Sequence, residues 1–185
     1  MKSIKITIIL LFITTITTAQ IKIGGKLSYG SEIESLGIGA KGVYELDETF
    51  SISGELNYFF GSKSSMSNTI QGFDFGNSEF KNSLVTLNTD LHYNFNIPSM
   101  DAFSLYGIGG LNFSFFSAKT EINSDFDVPG FPNSASANET FIGLNLGIGG
   151  AYPVSTNLDI ISELKYVISD LNQIIFSAGI VYSLN

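Results

Sequence analysis

The feature that most constrains this chain is a period-two alternation sustained over unusually long segments. From Ile21 onward, apolar residues alternate with small or polar ones, and no helical period of useful length appears after Gln20. Eight strands are predicted, at about Ile21–Ser31, Glu34–Leu46, Phe50–Gly61, Ser83–Asn96, Ala102–Ser117, Thr140–Tyr152, Leu158–Ser169 and Ile174–Leu184. An ordinary globular strand runs about five or six residues, whereas about 9–11 tilted residues cross a bilayer. Most of these segments have the second length.

The connections alternate in length. Asp47-Glu48-Thr49, Ile97-Pro98-Ser99-Met100-Asp101 and Pro153-Val154-Ser155-Thr156-Asn157 are short and made of turn-forming residues. On the other side, residues 62–82 and 118–139 are predicted as long polar loops, with short connections near Ser31–Ile33 and Asp170–Gln173. Tight turns at one end and long loops at the other define the up-and-down barrels of bacterial outer membranes. An even strand number also returns both termini to the turn side.

Alternation alone leaves open which face is inside, because a soluble barrel alternates in the same way. The aromatics decide it. Along the apolar face, Tyr44, Phe50, Tyr93, Phe95, Phe103, Tyr152 and Tyr182 fall toward the turn end, and Tyr29, Tyr58, Phe60, Phe113, Phe115, Tyr166 and Phe176 toward the loop end. Two aromatic girdles around an aliphatic band are what two lipid interfaces select. The opposite face is rich in Gly, Ser, Asn and Thr, and its charges sit at mid-strand: Lys26, Lys41, Glu55, Asp90, Glu163 and Lys165. Lys22, Glu45, His92 and Asp159 lie nearer the turns. Small residues with near-balanced charge suit a narrow, packed lumen in which each buried charge needs a partner. Glycines on strands 1 and 2 blur the alternation there.

Composition supports the membrane reading. Charged residues are 14% of the chain, against about 25% for soluble domains. Residues 1–19 read as a cleaved secretory signal: Lys2 and Lys5, an apolar run from Ile6 to Ile13, and small residues up to Ala19, too short to span a bilayer as a helix. Residues 20–185 then form one barrel domain. The chain has no cysteine, so neither a disulfide framework nor a lipoprotein anchor is expected. With a formal charge of −8 and no arginine it is a poor nucleic-acid binder.

The last strand, Gly179-Ile180-Val181-Tyr182-Ser183-Leu184, resembles the C-terminal targeting signal of outer-membrane barrels, with Leu184 where an aromatic is common and Asn185 trailing. With the strand number, the girdles and the loop asymmetry, the whole mature chain resembles the OmpA-like and OmpX-like eight-stranded outer-membrane barrels. The resemblance implies residence in the outer membrane of a double-membraned bacterium, contact with its lipid, and delivery by the barrel-assembly machinery through that strand. It carries no functional residues across. Without a peptidoglycan-binding domain after the last strand, it implies no cell-wall tether.

No catalytic constellation or cofactor motif is evident. His92, the single histidine, is expected in the lumen near the turn end, with Asp90 as an acceptor on its own strand. General acid–base work needs a reachable substrate, so a hydrogen-bonded lumen histidine is expected. One His and no Cys leave carboxylates alone for a metal. Glu121, Asp125, Asp127 and Glu139 with Phe126 and Phe131 occupy one loop, without the EF-hand glycine and closing glutamate; Phe73, Phe75 and Phe80 occupy the other. The expectation is a non-enzymatic barrel with a plugged polar lumen and a structural or surface-binding role through its loops. A narrow porin-like channel is the alternative, and a lipid-modifying enzyme a remote one.

Overall fold

The computed structural model describes residues 20–61, 63–70, 73–97, 103–123 and 134–184. The segment expected to be a signal lies outside the described residues. Nine strands follow in order among them: β1 (Ile21–Gly30), β2 (Ser35–Glu45), β3 (Phe50–Phe59), β4 (Lys63–Ile70), β5 (Phe73–Phe95), β6 (Ser104–Asn123), β7 (Ser134–Ser155), β8 (Leu158–Ile168) and β9 (Gln173–Ser183). All pairings are antiparallel. β9 pairs with β1, and β3 pairs directly with β5 from Phe50↔Tyr93 to Phe59↔Leu84, so eight strands close into a barrel with β4 outside the ring. Closure pairs every edge inside the membrane, where an unpaired backbone group would find no water.

The predicted strand positions hold for the ring, but both long loops need correction. Residues 62–82 contain β4 and the first ten residues of β5, paired as a hairpin from Lys63↔Lys81 to Ile70↔Phe73. Residues 118–139 contain the end of β6 and the start of β7, paired from Glu121↔Ser134 inward. These extensions alternate Ser, Asn, Lys, Glu and Thr, so the backbone ladder continues past the membrane without the apolar period that reveals a strand in sequence. At the other end β7 runs through Pro153 to Ser155 with an irregularity before Ser155, so this turn is tighter than expected. Pro153 stands at the rim, where a missing N–H is tolerated. The Asp47 side chain builds its own turn by accepting from the N–H groups of Thr49 (2.7 Å) and Phe50 (2.8 Å).

The two faces separate cleanly. Leu27, Leu36, Leu56, Leu87, Leu111, Leu144, Ile148, Leu164 and Ile180 are exposed on the outside. So much apolar surface is stable only against lipid. Aromatic rings flank this band and pack edge to face: Phe50–Tyr93 and Tyr93–Phe95 toward the turns (5.4 and 5.3 Å), and Tyr58–Phe60 toward the loops (5.5 Å). Tyr44 and Phe113, expected in the belts, are only partly exposed.

Candidate functional site

The inward parity of the strands collects the charges at one level of the lumen. Lys26 comes from β1, Lys41 from β2, Glu55 from β3, Asp90 from β5, and Glu163 and Lys165 from β8, all with side chains at most 2% exposed where ion-paired, and Asp90 1% exposed overall. Glu55 accepts from three ammonium groups: Lys26 (2.6 Å), Lys41 (2.8 Å) and Lys165 (2.5 Å). Glu163 faces Lys26 at 3.4 Å, pairs with Lys41, and accepts from the Tyr106 hydroxyl at 2.9 Å. Lys165 also reaches Asp90 at 3.0 Å, and Asp90 accepts from Asn145 at 2.6 Å. Three cations meet three anions, each with more than one partner. That multiplicity is what offsets the desolvation of buried ions.

Glycines make room for these long side chains. A Cβ on Gly179 would meet the Gly25 carbonyl and the start of the Lys26 side chain. This glycine of the terminal motif therefore has a packing reason for its place.

Above the ions lies an uncharged polar layer. Asn88 accepts from Asn112 (2.7 Å) and Asn145 (3.0 Å), Asn57 donates to Thr86 (3.1 Å), and Ser28 and Ser177 are 2.9 Å apart. Above that, at the loop end, Ile33, Phe59, Leu84, Val167 and Ile175 form a buried apolar cluster, with Phe116 and Leu171 packed against it. Sequence reasoning missed this cap because it treated the inner face as polar throughout. The signal was present in Tyr166-Val167-Ile168 and Ile174-Ile175-Phe176, which are apolar on both parities.

Below the ions, toward the turns, His92 stacks on Tyr106 (centroids 4.7 Å apart, planes at 17°), and its Nε2 is 3.0 Å from Ser53 Oγ. The expected partner Asp90 is engaged by Lys165 and Asn145 instead. Residues two apart on one strand project about 7 Å apart, so the neighbouring strand supplies the nearer group. Ser53 is fully buried. A cavity of about 580 Å³ opens from this level to the turn end, lined by Tyr106, His92, Lys41, Glu45 and Asp159 among others. Lys22 ties its wall by bonding Glu45 (2.8 Å) and Asp159 (3.0 Å). Among the described residues, no cluster of three or more His, Asp or Glu side chains is placed to hold a metal. The candidate loop residues Asp125, Asp127, Phe126 and Phe131 lie outside the described residues.

A closed ring of eight long antiparallel strands, greasy outside and ion-paired inside, defines a transmembrane β-barrel of the outer-membrane class. The chain belongs to the outer membrane protein beta-barrel domain family, whose model matches residues 14–183. It is therefore an outer-membrane protein. A comparison with curated protein sequences finds no match. Among solved structures it is similar to a major outer membrane protein of Thermus thermophilus (14% identity, 90% of this chain and 100% of that one, TM-score 0.69). It is also similar to Ail, the attachment invasion locus protein of Yersinia pestis (18% identity, 90% and 97%, TM-score 0.54), and to the N-terminal barrel of Pseudomonas aeruginosa OprF (16% identity, 89% and 97%, TM-score 0.57). At these identities the likeness is one of fold.

Proposed function

We propose that this barrel is a closed scaffold that holds a polar surface outside the membrane, and that its role is structural or surface-binding rather than conducting. The observation that supports this reading most directly is the double closure of the lumen: three ion-paired lysines at one level and the apolar cap around Phe59 and Leu84 above them. A solute path would have to strip partners from buried charges, each at a cost of several kcal/mol.

Outside the membrane, β4 to β7 extend as one paired sheet. A rigid scaffold carrying exposed connections is the usual platform for binding. Residues 118–139 carry one lysine against Glu121, Asp125, Asp127 and Glu139. Ail has been solved with the heparin analogue sucrose octasulfate; the acidic segment here favours a cationic or neutral polar partner over such a polyanion.

The cavity at the turn end keeps a second reading in view, that of a narrow channel, but it ends at His92, Tyr106 and Lys41. Single-channel recording of the purified barrel in planar bilayers tests closure. Only brief, rare openings are expected, and a steady solute conductance would overturn the reading. An epitope inserted after Pro129 should be detected on intact cells; detection only after the outer membrane is permeabilised would contradict the surface role.

A further inference from the structure

The lumen is closed at the ion pairs and above them, but hollow below. An eight-stranded barrel is just wide enough to be filled by its own side chains or to hold one small ligand. Here the filling stops at His92 and Tyr106, and the cavity of about 580 Å³ runs from them to the turn end. Small-molecule sites usually measure about 300–1,000 Å³. In this class the turns stand in the periplasm, so the cavity is a dead-end pocket facing that compartment. It is separate from the outer sheet and does not depend on what that sheet binds.

One cross-strand row climbs from the mouth of this pocket to its floor. Glu45 of β2 pairs with Ser51 of β3, and Ser51 with His92 of β5. The same row continues through Ile108 and Gly147 to Lys165 in the ion layer. With strands about 4.8 Å apart and tilted by about 40°, each step along such a row rises by about 3 Å. Glu45 therefore stands nearest the mouth, Ser51 deeper, and His92 at the floor. Ser51 lines the cavity and is 4% exposed, yet its hydroxyl has no hydrogen-bond partner among the described residues. Ser53, not Ser51, holds His92 Nε2. A buried hydroxyl left unpaired is costly, and one that faces a cavity is placed to bond what enters it.

The remaining walls define the chemistry of an occupant. Across the lumen from Ser51, Ile161 of β8 and Val181 of β9 are buried apolar residues lining the cavity. At the mouth Glu45 and Asp159 each give one oxygen to Lys22, at 2.8 and 3.0 Å, and a carboxylate can accept from more than one donor. Asp47 and Glu48 add two further negative charges to the rim, while Lys41 is already held by Glu55 and Glu163. Four carboxylates against Lys22 give the mouth a negative field, which the low-dielectric wall focuses. An anion is repelled there and an ammonium drawn in. We propose that this cavity binds a small organic cation, a primary amine whose ammonium meets Glu45 and Asp159, whose apolar body lies on Ile161 and Val181, and whose polar far end reaches Ser51.

NMR titration of the full folded barrel in a neutral detergent tests this with three probes. They are tyramine, 4-ethylphenol, which lacks the ammonium, and 3-(4-hydroxyphenyl)propionate, which carries a carboxylate in its place. Tyramine should saturate the shifts of Ser51 and the His92 ring and bind at least about tenfold more tightly than either analogue, as a charge-assisted bond requires. Ser51→Ala removes a hydroxyl that has no partner, so the variant should fold and bind tyramine several-fold more weakly. Glu45→Gln should erase most of the preference for tyramine and leave 4-ethylphenol unaffected. If that variant does not fold, judged by heat-modifiable gel mobility, Asp159→Asn takes its place with the same expected loss. Equal affinity for all three probes, saturable shifts that spare Ser51 and His92, or tyramine binding unchanged in the folded variants would overturn the proposal. So would the lack of any saturable shift at millimolar tyramine.

Discussion

Lys165 donates to Glu55 at 2.5 Å although their strands, β8 and β3, are not neighbours in the sheet. The bond crosses the lumen, so it ties opposite walls of the barrel in a way no backbone ladder does. Glu55→Ala would leave Lys26, Lys41 and Lys165 sharing two carboxylates instead of three. Removing one partner of a buried pair costs about 3–5 kcal/mol, and that loss is expected in urea unfolding from lipid vesicles. Glu55→Gln keeps an acceptor but not the charge, and should fall between. A cost below about 1 kcal/mol for the alanine variant, the scale of an exposed pair, would show that the network is hydrated rather than buried.

Which residues enter the lumen was legible in the sequence; which partners they take was not. The strict alternation through Ser51, Ser53, Glu55 and Asn57 sends all four inward, and they are buried. Partner choice depends on the stagger of strands around the ring, which no single strand encodes. Thus His92 meets Ser53, two residues off its cross-strand partner Ser51, and Lys165 spans the lumen to Glu55. The outer strand extensions were hidden for another reason. Residues such as Ser65, Glu79 and Glu121 pair across strands but are polar in sequence, and hydrophobic period is the signal that reveals strands.

Gly149 faces the Tyr106 ring so closely that a Cβ there would meet the ring carbons and the hydroxyl. Gly149→Val should push Tyr106 off His92 and break its 2.9 Å bond to Glu163. Overpacking of this kind costs about 1–3 kcal/mol. Gly109, whose added Cβ would meet nothing within 4 Å, provides the comparison, since Gly109→Val should change little. The check is the unfolding free energy together with the NMR shifts of the His92 ring; unaltered shifts in Gly149→Val would contradict the packing described.

Leu146 is exposed and lies midway along β7 between Thr140 and Tyr152, which mark the two interfacial levels on that strand. Arginine on the lipid face costs about 2–4 kcal/mol at the midplane and about 0–1 near the interfaces. Leu146→Arg should therefore destabilise the barrel in vesicles by several times more than Thr140→Arg. Equal costs at the two positions would mean that the hydrocarbon band lies elsewhere on the wall.

Gln173 is 2% exposed at the loop end of β9, and among the described residues neither its Nε2 nor its Oε1 has a hydrogen-bond partner. It lies two residues before Ile175 on the inward face and belongs to the same level as the apolar cap. An amide buried without a partner forfeits about 1–3 kcal/mol of desolvation, and an apolar residue of similar shape removes that cost. Gln173→Met should therefore raise stability by about 1–2 kcal/mol, read as a higher urea midpoint with an unchanged slope. The same substitution tightens the cap, so it should leave conductance as low as in the parent. A lower midpoint would show that the amide is held by a partner and that the loop end of the lumen is more polar than its neighbours Ile33 and Phe59 indicate.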